Sequence, residues 1–158
     1  MVESVEAQTY SHWELILVNA SPGEEGLAEA VRKSCTSDVR LRSISLDRNL
    51  GFTENTNEGI RISKGDFICF LDHDDILEPD TLYWYASAVN VNSDIDLLYC
   101  DEDKLCDGHF INPFFKPDWN PDLLLGMNYV CHFLVVRKSL VDKIELPGSE
   151  CDGSQDYN

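Results

Sequence analysis

Positive charge is what this sequence has least of: 12 Lys and Arg stand against 29 Asp and Glu, a formal net charge of -17. Nucleic-acid backbones are gripped by clustered Lys and Arg, so a nucleic-acid partner is excluded. A phosphorylated ligand would have to be met by a divalent cation or a helix N-terminus. Long apolar runs are missing as well. None approaches the ~18 residues that span a bilayer, and the N-terminus carries no signal-peptide apolar region. The six cysteines form no CxxC pair and no CxxC…H spacing, which argues against a structural zinc site. HxxxH, HExxH and GxSxG are also absent, so metalloprotease and serine-hydrolase chemistry have no foothold.

What is present suits one globular domain. With 158 residues, 43% of them apolar, the chain can bury a core without metal or disulfide staples. Cys69 and Cys131 lie inside apolar runs and are expected as buried, reduced thiols of a cytosolic protein.

The pattern alternates strand and helix. Residues 2–8 read as a helix end, and residues 13–18, nearly all apolar, as a strand covered on both faces. Ser21-Pro22-Gly23-Glu24 predicts a capping box with proline at the first helical position, followed by Leu27, Ala30 and Val31 at helical spacing. Residues 39–45 alternate as a strand, 52–62 read as a helix, and 66–71 as a buried strand ending in Asp72-His73-Asp74-Asp75. Pro79 opens a helix with Leu82, Ala86 and Val89 on one face, and residues 95–99 form a further strand ending in acids. Beyond residue 104 the pattern loosens into a rigid, proline- and aromatic-rich surface segment. A short helix over 122–127, a strand over 132–136 and a helix over 138–144 follow. Such alternation predicts a mostly parallel sheet with helices on both faces.

Ligands of open parallel sheets bind outside the carboxyl ends of the strands, where Asn19, Asp72 to Asp75 and Asp101 to Asp103 would gather. Carboxylates at i and i+2 leaving a strand can face one side, so Asp72 and Asp74 are candidate ligands of one hard cation, Mg²⁺ or Mn²⁺. An EF-hand fits poorly, because counting from Asp72 puts Leu77 where glycine is required. His132, alone on an apolar run, reads as a satisfied core residue.

Several motifs now stand in order. They are Gln8-Thr9-Tyr10 with Trp13-Glu14, Asn49-Leu50-Gly51 with Asn57, and Gly65-Asp66-Phe67 before Leu71-Asp72-His73-Asp74-Asp75. Pro113-Phe114-Phe115-Lys116-Pro117-Asp118-Trp119 and Gly153-Ser154-Gln155-Asp156-Tyr157 complete the series. Together they resemble family-2 glycosyltransferases of the GT-A fold, especially bacterial enzymes of O-antigen and related polysaccharide assembly. The resemblance implies inverting transfer of a sugar from a nucleotide-diphosphate donor to a glycan acceptor. It makes Asp74 the direct metal ligand, puts Asp72 nearer the ribose, and makes Asp156 the general base. Gly51 and Asn57 match a loop and helix beside the nucleotide. Asn19 stands where the family usually carries a base-reading Asp, and Trp119 could stack on an acceptor sugar. The implied location is cytoplasmic, at the inner face of the membrane, with peripheral membrane association allowed.

The resemblance spans residues 1–158 as one domain fragment, 1–104 for the nucleotide sugar and 105–158 for the acceptor side and base. The family's first strand, which sits mid-sheet beside residues 13–18, is missing, and the family continues past residue 158. Two alternatives stay open: another metal-dependent nucleotide-sugar enzyme such as a nucleotidyltransferase, and a non-catalytic glycan- or protein-binding module.

Overall fold

The structure is a computed structural model and describes residues 1–153. A short helix α1 (Val2–Glu6) leads to strand β1 (Leu15–Asn19), helix α2 (Glu25–Ser37) and strand β2 (Leu41–Ser45). β1 and β2 pair in parallel, from Leu15 opposite Leu41 to Asn19 opposite Ser45. The expected capping box does not form: residues 21–24 make a turn, with Glu24 N donating to Ser21 O at 3.1 Å. Helix α2 starts only at Glu25. Gly23, with nothing packed around it, favours the turn over a helical start.

Helix α3 (Phe52–Ile62), strand β3 (Phe67–Cys69), helix α4 (Thr81–Val91) and strand β4 (Leu97–Leu98) follow. Leu82, Ala86 and Val89 share the half-buried face of α4, as their spacing predicts, while Tyr83 and Trp84 face solvent. Next come a hairpin, β5 (Glu102–Cys106) and β6 (His109–Phe114), then helix α5 (Pro121–Leu124), strand β7 (Val135–Arg137) and helix α6 (Lys138–Val141). Strand β7 lies between β3 and β4 and runs antiparallel to both. β3 and β4 therefore share one direction.

Among the described residues β1 pairs only with β2, and β3 only with β7. The sheet is thus interrupted between β1 and β3. Helix α3 crosses the interruption. A Cβ on Gly59 would lie 3.2 Å from Val18 Cγ2, so glycine lets the helix settle close over β1. The next residue, Ile60, packs with Ile68 of β3 and Val141 of α6 in the central apolar cluster, flanked by Phe70, Val136 and Leu146. Each such buried side chain contributes roughly 1.5–3 kcal/mol by leaving water.

Two expectations fail in instructive ways. A hairpin forms where the sequence reads as a loosened, proline- and aromatic-rich rigid surface segment, and its turn, Asp107-Gly108, has φ of 49° and 78°. That is the positive-φ pair an Asp-Gly hairpin turn needs. Cys69 is exposed and Cys131 half-buried, where both were expected to be buried.

Candidate active site

The chain leaves β3 at Cys69 and turns at once, with Asp75 N donating to Asp72 O at 3.2 Å. In an extended strand, residues i and i+2 share a side; in a turn closed this way, i and i+3 come together instead. Asp72 and Asp75 therefore converge. Across from them stands His132, whose Nδ1 lies 3.0 Å from Asp72 Oδ2 and 3.9 Å from Asp75 Oδ2. One ligand atom from each of the three lies within 4.8 Å of the others. Two carboxylates and an imidazole can hold a divalent cation, and the oxygen-rich set with one nitrogen suits Mn²⁺.

Asp74 points elsewhere, its side chain 78% exposed and its Oδ1 4.0 Å from His73 Nδ1. His132 is the residue that sequence reasoning missed. Instead of sitting in the core it is half exposed, because its neighbours Tyr129, Val130 and Phe133 take the buried positions. Phe133 adopts φ of 52° and packs edge-on against Tyr85, ring centroids 5.5 Å apart. Strand β7 begins only at Val135, so His132 belongs to an irregular approach and not to the ladder.

Electrostatics mark the group. Burial pushes the Asp75 carboxyl above its ordinary range, and repulsion from Asp72, Asp74 and Glu102 adds to this against the pull of His132. A cation would relieve that repulsion.

The other candidates lie at neighbouring strand ends. Asn19 closes β1, buried, its Oδ1 accepting from Ser21 N at 3.0 Å. Gly51 precedes α3 with φ of 96°, and a Cβ there would sit 2.1 Å from Asp152 Oδ2, so only glycine fits. The Asp152 carboxylate accepts from Thr53 N at 2.9 Å, in the first turn of α3, and that contact holds its carboxyl below the usual range. Asn57 is buried and donates from Nδ2 to Pro147 O at 2.7 Å. The segment leading toward Asp156 is thus fastened to α3 at two points. Asp156 itself lies outside the described residues. Trp119 is exposed in the segment between β6 and α5.

Among the described residues no helix is long and apolar enough to cross a membrane.

Comparison with known proteins gives the family and the fold. The family model described as "Glycosyl transferase family 2" matches residues 1–144. The O-antigen biosynthesis protein RfbC of Myxococcus xanthus is 38% identical over 156 residues, covering 98% of this chain and 12% of that protein. An uncharacterized protein, y4gI, of Sinorhizobium fredii is 36% identical over 164 residues, covering 100% of this chain and 18% of its own length. This chain therefore spans only a small part of both relatives. Among solved structures, S. aureus TarS in complex with UDP superposes with a TM-score of 0.74 at 18% identity, over 99% of this chain and 48% of that one. The likeness fixes the fold as the GT-A type of α/β architecture. By its sequence and its fold, the chain belongs to glycosyl transferase family 2.

Proposed function

We propose that this chain is the donor-binding part of an inverting glycosyltransferase, which moves a sugar from a nucleoside diphosphate to a hydroxyl of a glycan, in assembly of a surface polysaccharide of O-antigen type. The observation that carries the reading is the convergence of Asp72, Asp75 and His132 at the carboxyl end of β3. A chain of net charge -17 has few cations to offer a diphosphate, and this group supplies a place for one.

Asp72, Asp75 and His132 would hold Mn²⁺ or Mg²⁺, with Asp74 close enough in sequence to join from the solvent side. A cation held by these residues would supply positive charge against the charge that builds on the departing diphosphate. Asn19 hydrogen-bonds the nucleoside, and Gly51 with Asn57 shapes the wall beside it. Asp156, assigned from its place in the sequence, takes the acceptor's hydroxyl proton as the oxygen attacks the anomeric carbon. The work belongs in the cytoplasm, at the inner face of the membrane. The UDP-bound TarS structure and the O-antigen name of the Myxococcus relative support this assignment.

Titration calorimetry of the 158-residue chain with UDP and other nucleoside diphosphates, with and without Mn²⁺, tests it. Nucleotide binding that needs Mn²⁺ and disappears in Asp72→Ala is the expected result. Glycan binding that ignores both metal and nucleotide would overturn it.

A further inference from the structure

Lys116, directly after the Phe114-Phe115 pair, carries the most buried charge near the site: its side chain is 1% exposed. Such burial of an ammonium is costly unless every donor has a partner. Its Nζ lies 3.0 Å from Glu102 Oε2 and also donates to the carbonyl of Cys131. The same Glu102 oxygen accepts from His132 N at 2.8 Å. The Lys116 backbone N donates to Asp101 Oδ1 at 2.8 Å, which closes the open end of the β5–β6 hairpin. Lys116 and Glu102 therefore hold both polar groups of the Cys131–His132 peptide, its carbonyl and its amide. The imidazole that this peptide carries is the one that meets Asp72 at 3.0 Å.

Residues 128–134 lie in no strand or helix, so the direction of His132 is set by the burial of its neighbours Tyr129, Val130 and Phe133 together with side-chain tethers. We propose that Lys116 is a positioning residue for the cation site: through Glu102 and the Cys131 carbonyl it holds His132 aimed at Asp72 and Asp75. The inference rests on the reading of Asp72, Asp75 and His132 as cation ligands. Lys116 touches neither the cation nor the substrate. Groups that orient a ligating histidine typically change metal affinity by about 10–100-fold when removed.

The test uses Mn²⁺ alone, with affinity measured by titration and ligation by pulsed EPR, which detects an imidazole nitrogen bound to Mn²⁺. Wild type is expected to bind Mn²⁺ with a nitrogen signal that His132→Gln removes. In Lys116→Met the affinity falls roughly 10–100-fold and the nitrogen signal fades. Because that variant leaves the Glu102 carboxylate without its ammonium, Lys116→Met with Glu102→Gln is measured beside it, removing both charges while keeping the shapes. Cooperative melting identifies which of the two keeps the fold. Mn²⁺ affinity and nitrogen signal at wild-type level in the folded variant overturn the role of Lys116 alone. A wild type that binds no Mn²⁺, or binds it without nitrogen, overturns the cation site and this proposal together. Loss of cooperative melting in both variants assigns Lys116 to the fold at large and overturns it as well.

Discussion

Glu14 joins the two sheets on which the site is built, and replacing it should loosen that joint measurably. Its carboxylate, just ahead of β1, accepts from the backbone N of Lys64 and of Gly65, the latter at 3.2 Å, in the turn that enters β3. It also meets Arg42 Nη1 of β2 at 2.6 Å, and Arg42 in turn donates to Ile62 O at 3.1 Å. Three charge-assisted hydrogen bonds at face value would total about 4.5–9 kcal/mol. Most of that does not survive. Lys64 and Gly65 are exposed, so water can replace the carboxylate at their amides, and the Arg42 side chain is 34% exposed. Glu14→Ala is therefore expected to cost about 2–3 kcal/mol, a fall in melting temperature of roughly 4–12 °C for a chain of this size. Glu14→Gln keeps an acceptor for the two amides and should cost about 1 kcal/mol. The pH dependence adds a check. Burial raises the Glu14 carboxyl, but the Lys64 amide, Arg42 and the Gly65 amide outweigh it, leaving it below its ordinary value of 4.5. Stabilisation by such a group is complete above the unfolded value and is lost as pH falls through the lower folded one. Urea denaturation should thus show a gap between wild type and Glu14→Gln at neutral pH that closes in acid. A cost under about 0.5 kcal/mol for Glu14→Ala, unchanged by pH, would refute the argument and class these contacts as ordinary surface pairs.

Two further outcomes follow from the geometry. Asp75→Asn should weaken Mn²⁺ binding more than Asp74→Asn, because Asp75 and not Asp74 shares the space with Asp72 and His132; calorimetry giving the reverse order would restore the i, i+2 pairing that the sequence suggests. Tyr129→Phe should destabilise the chain by about 1–3 kcal/mol in urea, since the fully buried hydroxyl accepts from Asn120 N at 2.7 Å and that amide would be left without it.

Much of this architecture is legible before any coordinates. The strands β1 and β3 announce themselves as apolar runs, and Asn19 and Asp72 lie at or just beyond their carboxyl ends, as the sequence suggests. What the sequence hides is decided by turns and tertiary tethers. Periodicity speaks for an extended exit from β3, in which Asp72 and Asp74 share a face, but the closed turn pairs Asp72 with Asp75. Residues 132–136 read as a strand, but the ladder begins only at Val135. Burial of Val130 and Phe133, without a ladder, turns His132 outward instead. The β5–β6 hairpin did carry a signal, Asp107-Gly108 between alternating residues, which the surrounding prolines and aromatics obscured.

The interrupted sheet changes what keeps the site in register. In a continuous parallel sheet, neighbouring strands fix the relative positions of their own ends through shared hydrogen bonds. Here β1 and β3 share none, so Asn19 and Asp72 depend on what bridges the interruption. Two bridges are visible: α3, with Gly59 against β1 and Ile60 in the cluster with Ile68, and the Glu14 carboxylate. The same helix receives Asp152 at its first turn and Pro147 through Asn57. Helix α3 thus fixes the positions of Gly51, Asn57 and the segment from Pro147 to Asp152 together. A change that shifts α3 should disturb donor binding and proton transfer together, whereas a change at Lys116 should touch the cation group and leave Asn19 in place.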